Sequence, residues 1–188
     1  MRADGVRNRR KVLDAAMAAF ATDGLAVPVA EIARRAGVGT GTVSRHFPAK
    51  ESLYEAIVLT RVEEIVARLA ELAATRPPGE AFFAFLAYMV DQAAENRGLA
   101  EALAGAGFDI EAAATRGGHD LDGAEAALLA RAQQAGAVRA DVTNADVKAL
   151  IVGCVARERG ATDPAARRRM VEIVSAGLRR QGPANGQR

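Results

Sequence analysis

The chain has 188 residues, half of them hydrophobic and 26% charged, which supplies enough apolar material for a folded core and excludes a disordered chain. Only 4% of residues are aromatic, and neither a run of about 18 uncharged apolar residues nor the apolar stretch of a signal peptide occurs, so a cytoplasmic protein without a membrane span is expected. A net charge of +2 hides an asymmetry: residues 1–50 hold nine Lys/Arg against four Asp/Glu, the remaining residues sixteen against nineteen, and a basic quarter on an acidic body points to a polyanion at one end.

Apolar residues at helical spacing predict a first helix from about Arg7 to Thr22, ended by Asp23-Gly24. Pro28 suits the first turn of a short helix that runs to Ala36 with Ile32 and Ala33 inward. Gly37-Val38-Gly39 breaks it, and a second short helix follows from about Thr40, read as its N-cap, to Phe47, where Pro48 stops it. A long helix covers Ala49 to about Arg76 and ends at Pro77-Pro78-Gly79. Gly79 to about Asn96 forms the next, with Phe82, Phe85, Leu86 and Met89 on one side, and a short piece spans Leu99 to Leu103. Gly105 to His119 reads as a loop with some helix inside. Leu121 to Gln134 is helical, Thr143 with Asp146 caps the following helix, and Asp163-Pro164 opens the last, which runs to about Arg180 before a tail from Gly182 to Arg188. No strand-like alternation persists, so the class is all-α.

The informative stretch is Val29 to Lys50. Two short helices separated by about three residues, with glycine at the turn, form the helix-turn-helix pattern, whose second helix enters the major groove of DNA. Here that helix exposes Thr40, Thr42, Ser44, Arg45 and His46, while Val43 and Phe47, four apart, face inward as anchors. Lys50 falls in the first turn of the next helix, where the helix dipole disfavours a cation by a few tenths of a kcal/mol. A phosphate docked beside the free backbone N–H groups accounts for it; a solvated surface lysine is the plainer reading.

Residues 7–58 resemble the tetracycline-repressor (TetR) family of regulators. The resemblance is carried by Val12-Leu13-Asp14-Ala15-Ala16, by Phe20-Ala21-Thr22-Asp23-Gly24, by Val29 through Val38, and by Gly41-Thr42-Val43-Ser44-Arg45-His46-Phe47-Pro48-Ala49-Lys50-Glu51-Ser52-Leu53-Tyr54. It implies a three-helix DNA-binding domain over 1–48 and a larger helical effector-binding and dimerisation domain over 49–188. The residues it assigns to double-stranded DNA are Arg34, Thr40, Gly41, Thr42, Ser44, Arg45, His46 and Lys50, with Gly37 at the turn. Arg45 has the fork to read guanine, worth about 1–3 kcal/mol of discrimination, or to grip a phosphate. Ser44 stands where the family commonly has Tyr, and Pro28 and Ala49 where it commonly has a Ser or Thr cap.

The family also implies a homodimer, built by the last two helices as a four-helix interface, and a small-molecule effector. The stripes Val147, Leu150, Ile151, Cys154 and Met170, Ile173, Val174, Leu178 suit that interface or an ordinary core. Phe82, Phe85, Leu86 and Met89, with Phe108 and His119, are the candidate lining of a largely apolar pocket, although a Phe/Met stripe is more often core than pocket. The family habit is repression relieved by effector. Cys154 is unable to form an internal disulfide and reads as a buried thiol, and one cysteine with two histidines makes a zinc site improbable, so neither metal nor cofactor is expected. Catalysis is disfavoured: Gly37 to Gly41 follows a helix rather than a strand, and no Gly-x-Ser-x-Gly occurs. The remaining alternative is a helical protein–protein adaptor without specific DNA binding.

Overall fold

The computed structural model describes residues 2–156 and 163–180, and among these the chain forms ten α-helices and one isolated bridge, between Val138 and Arg179. The tail from Gly182 lies outside the described residues. Helix α1 (Arg2–Asp23) starts five residues earlier than the apolar periodicity indicates. Asp4 in its first turn accepts from Arg7 one turn later at 2.5 Å, so polar pairing extends the helix where core contacts do not. Helix α2 (Val29–Ala36) follows Pro28, which stands one residue outside it at the N-cap. Gly37 ends α2 at φ 67°, with its N–H on the Arg34 carbonyl and the Val38 N–H on the Ala33 carbonyl, the two bonds of a Schellman cap.

Helix α3 (Thr40–His46) has Gly39, not Thr40, at its N-cap, in extended conformation and without a side-chain cap. Helix α4 (Lys50–Thr75) lacks a capping side chain at Ala49, and Ser52 supplies the bonds instead: its Oγ accepts from the Ala49 N–H at 3.3 Å and donates to the Ala49 carbonyl at 2.6 Å. Then come α5 (Pro78–Glu95), α6 (Arg97–Gly105) and α7 (Ile110–Arg116), the last inside the stretch expected to be irregular. Helices α7, α8 (Leu121–Gln134), α9 (Asn144–Val155) and α10 (Pro164–Leu178) each carry an oxygen cap, from Asp109, Asp120, Thr143 and Asp163. A cap of this kind contributes about 1 kcal/mol.

The described chain divides into two compact units. The first comprises residues 1–63 and 96–119, so it holds α1 to α3, the first half of α4, and α6 with α7. Its core gathers Val12, Leu13, Ala16 and Phe20 of α1, Ile32 and Ala33 of α2, Val43 of α3, and Leu53 and Ile57 of α4. This unit is larger than residues 1–48 because later segments pack into it. Tyr54 stacks edge-on to Phe20 at 5.4 Å and to Phe108, between α6 and α7, at 5.9 Å. Arg116 of α7 donates to Glu55 at 2.9 Å. The second unit comprises residues 64–95 and 120–188, with α5 packed against α8, α9 and α10 around Phe82, Phe85, Leu86, Leu128, Leu129 and Ile151.

Candidate nucleic-acid interface

The two anchors of α3 are sunk in the first unit: Val43 is 1% exposed and Phe47 6%. With those side chains fixed, the opposite side of a seven-residue helix has one direction left to face, and it is polar. Thr40, Gly41, Ser44 and Arg45 are exposed, Thr42 and His46 half-buried. Gly37 enters the left-handed region at no steric cost, which allows α3 to leave α2 within three residues. The structure therefore brings six of the eight predicted DNA-facing residues together on one short helix.

The other two have partners inside the unit. Arg34 forms a bidentate pair with Glu31, Nε and Nη2 each at 2.7 Å from a carboxylate oxygen. Glu31 also accepts from Arg35 at 2.8 Å, and Arg35 reaches Asp23 at 2.6 Å. Hydrogen bonds from Arg34 and then Arg35 hold the Glu31 carboxyl down at about 2. The i+3 and i+4 spacing of the two arginines from Glu31 is a readable signal for this clamp. Lys50 is half-buried; its ammonium donates to the Leu25 carbonyl at 2.5 Å and lies 5.9 Å from the centre of the Phe20 ring. An ammonium has three N–H donors, so two stay available for an anion. One contact was not foreseen: the Arg9 guanidinium of α1 sits over the Phe47 ring at 5.3 Å, next to the end of α3.

Of the six candidate pocket residues, four belong to the second unit and two to the first. Phe82, Phe85 and Leu86 are buried in the core of the second unit, with Met89 half-buried against them. Phe108 and His119 belong to the first unit, Phe108 against Tyr54 and His119 Nε2 at 3.8 Å from Glu63. A groove of about 630 Å³ in the second unit lies elsewhere, between Arg76, Phe83, Ala137 and Arg179, and none of the six is in its walls. Of the candidate dimer residues, Val147, Ile151, Cys154 and Leu178 are buried within their own unit, and Leu150, Met170 and Val174 pack half-buried against it. Burial pushes the Cys154 thiol up, as for an inert core cysteine. Ile173 is 65% exposed, as is Val152, which the periodicity did not single out. Among the described residues no helix is long and apolar enough to cross a membrane.

Comparison with known proteins accords with this geometry. Residues 12–57 match the family described as bacterial regulatory proteins, TetR family, and residues 77–180 match the SbtR-like transcriptional regulator C-terminal domain. A TetR transcription regulatory protein from Mycobacterium vanbaalenii is similar at 46% identity over 95% of this chain and 98% of its own, with a TM-score of 0.76. A TetR transcriptional regulator from Streptomyces coelicolor is similar at 32% identity over 93% and 99%, with a TM-score of 0.75. The fold is shared by FadR from Bacillus subtilis, solved in complex with stearoyl-CoA, at 17% identity over 90% and 99%, with a TM-score of 0.70. A comparison with curated proteins gives no match. A buried-anchor helix-turn-helix, the two family matches and the 46% identical regulator agree: the chain belongs to the TetR family of transcriptional regulators.

Proposed function

We propose that this regulator is a cytoplasmic homodimeric repressor that holds a palindromic operator through two copies of α3 and releases it when a small, largely apolar effector binds the helical C-terminal part. The observation that carries the reading is the two-sidedness of α3, with Val43 and Phe47 sunk in the core and Thr40, Gly41, Ser44 and Arg45 facing out. Small hydroxyls, a bare glycine and one long cation allow close approach to base edges and phosphates. Lys50 joins the set through the two N–H groups that Leu25 leaves unused. Arg34 joins it by exchanging one oxygen of Glu31 for a phosphate oxygen.

Dimerisation follows from the reading, because two α3 helices spaced by about one helical turn, 34–36 Å, match successive major grooves. The outward faces of α9 and α10 support it: Ala145, Ala149, Val152 and Gly153 on one, Ile173, Ala176 and Gly177 on the other are all exposed. The effector class is inferred from the interior of the second unit, where a large hydrophobic cluster dominates and Glu125 and Arg167 are the buried charged residues among those described, so a molecule entering it meets mainly hydrocarbon. The stearoyl chain held by Bacillus subtilis FadR is a ligand of this kind on the same fold. A ligand that prefers one dimer geometry shifts DNA affinity by its differential binding alone.

The test is retention of genomic fragments by the purified protein, followed by titration of the recovered duplex at several salt concentrations. Palindromic fragments are expected, with steep loss of binding as salt rises. Lys50→Ala is expected to weaken all sequences alike, and Arg45→Ala to relax sequence preference. Binding left intact by both changes refutes the contact assignment, and a strictly monomeric protein refutes the dimer.

A further inference from the structure

Helix α1 begins at Arg2, yet residues 4–11 bury nothing in the core, which begins at Val12. A helix that runs this far past its packing is held by something other than burial. The projecting part is strongly basic. Arg7, Arg9, Arg10 and Lys11 are exposed, against the single carboxylate of Asp4, which is taken by Arg7. No carboxylate pairs with Arg9, Arg10 or Lys11 among the described residues. Three cations on successive positions of an exposed helical turn concentrate positive potential there, which favours an anion.

Their location names the anion. The Arg9 guanidinium rests on the ring of Phe47, the residue that caps the C-terminal end of α3. A stacked arginine is held in place with its outer N–H groups still free to donate. The basic extension of α1 is thereby fastened beside the reading helix, not at a remote point of the unit. We propose that the N-terminal extension of α1, through Arg9, Arg10 and Lys11, is a second DNA contact, which grips backbone phosphates next to the groove that α3 enters. It rests on the DNA-binding reading given above and adds to it a surface outside the helix-turn-helix. Its contribution is to affinity and salt dependence, since phosphate contacts carry no base information.

The experiment compares the full-length protein with Arg9→Ala/Arg10→Ala/Lys11→Ala, and with Arg10→Gln/Lys11→Gln, which leaves the stack on Phe47 intact. A third variant, Arg76→Ala/Arg131→Ala/Arg180→Ala, removes the same charge from the second unit. Fluorescence anisotropy on a labelled 30-base-pair random-sequence duplex, and on a duplex recovered from genomic fragments, is measured between 50 and 200 mM KCl. Each phosphate contact contributes about 0.9 to the slope of log affinity against log salt. Because a dimer carries two copies of the extension, the slope is expected to fall by about 3.6 for the double variant and by up to about 5.4 for the α1 triple variant. A fall of about 3.6 makes the wild-type advantage shrink about 150-fold across that salt range. The affinity ratio between the two duplexes is expected to hold within about twofold, and the second-unit variant to keep the wild-type slope. Circular dichroism and thermal melting establish that each variant is folded, and the double variant, which touches only exposed positions, carries the test should the triple variant unfold. An unchanged slope in the double variant overturns the proposal while leaving the helix-turn-helix reading in place. An equal loss in the second-unit variant also overturns it, and failure of the wild type to bind either duplex sinks the underlying reading itself.

Discussion

Replacing Gly37 by alanine isolates the turn on which the reading helix depends. Gly37 lies at φ 67°, ψ 34°, and closes the two Schellman bonds at the end of α2. A Cβ built there meets nothing within 4 Å, so the penalty is conformational and not a clash. A non-glycine residue in the left-handed region costs about 1–2 kcal/mol. Alanine also restricts the unfolded chain, which offsets about 0.4–1 kcal/mol. The net destabilisation is therefore about 1 kcal/mol, and Gly37→Asn, which tolerates this region better, should lose less. Gly39, two residues on, is the control: it sits at φ −72°, ψ 150°, open to any residue and at an N-cap without a side chain. Gly39→Ser gains both a capping oxygen and a stiffer unfolded chain, so it should be stabilising by about 0.5–1 kcal/mol. Urea unfolding followed by far-ultraviolet circular dichroism measures both. Equal responses at the two glycines, or asparagine worse than alanine at position 37, would refute the argument that backbone handedness sets this turn.

Three further outcomes follow from the same geometry. Val43→Ala deletes two buried methyl groups and should cost about 2 kcal/mol in urea unfolding, whereas Thr40→Ala on the exposed side should stay within about 0.5 kcal/mol. Glu31 has its carboxyl held at about 2 by Arg34 and Arg35 against an ordinary 4.5, so its contribution to stability is complete above pH 4.5 and lost as pH falls toward 2. Unfolding midpoints of wild type and Glu31→Gln between pH 6 and pH 2 should accordingly converge in the acid limb, and a constant gap would contradict the clamp. Thr143→Ala removes the hydroxyl of the α9 capping box and should cost about 1 kcal/mol in thermal unfolding. It should also release Asp146, whose carboxyl Thr143 holds below the ordinary range, and carboxyl-detected NMR titration would then give a raised value.

The reading helix was legible because its signal is local: two apolar anchors four apart, glycine before and proline after. The caps at Thr143 and Asp163 were legible for the same reason, since a capping oxygen and its N–H lie three residues apart. Helix starts were less so. Gly39 displaced Thr40 at the α3 cap because backbone conformation, not side-chain chemistry, fixes that boundary, and α1 began five residues early through an Asp4–Arg7 pair that apolar periodicity ignores. The grouping of α6 and α7 with the DNA-binding helices is a matter of long-range contacts. Nothing near Phe108 in sequence announces that its ring will meet Tyr54, or near Arg116 that it will meet Glu55.

Helices α9 and α10 show why apolar stripes alone were ambiguous. A helix that packs on its own unit with one side and on a second copy with the other must be apolar on both, and its moment then points nowhere in particular. In α9 the side formed by Val147, Ile151 and Cys154 is the one already buried, while Ala145, Ala149, Val152 and Gly153 face out. Large side chains fill a core and draw attention as a stripe; small ones leave room for a partner's backbone and read as filler. In the proposed dimer the outward alanines and glycines of α9 and α10 are the surface that meets the second copy, with Val152 and Ile173 as its bulky members. Substituting aspartate at both of these positions then separates the two roles. It leaves the buried stripe untouched, and a dimer that persists on a sizing column after that change would place the interface on some other face of the molecule.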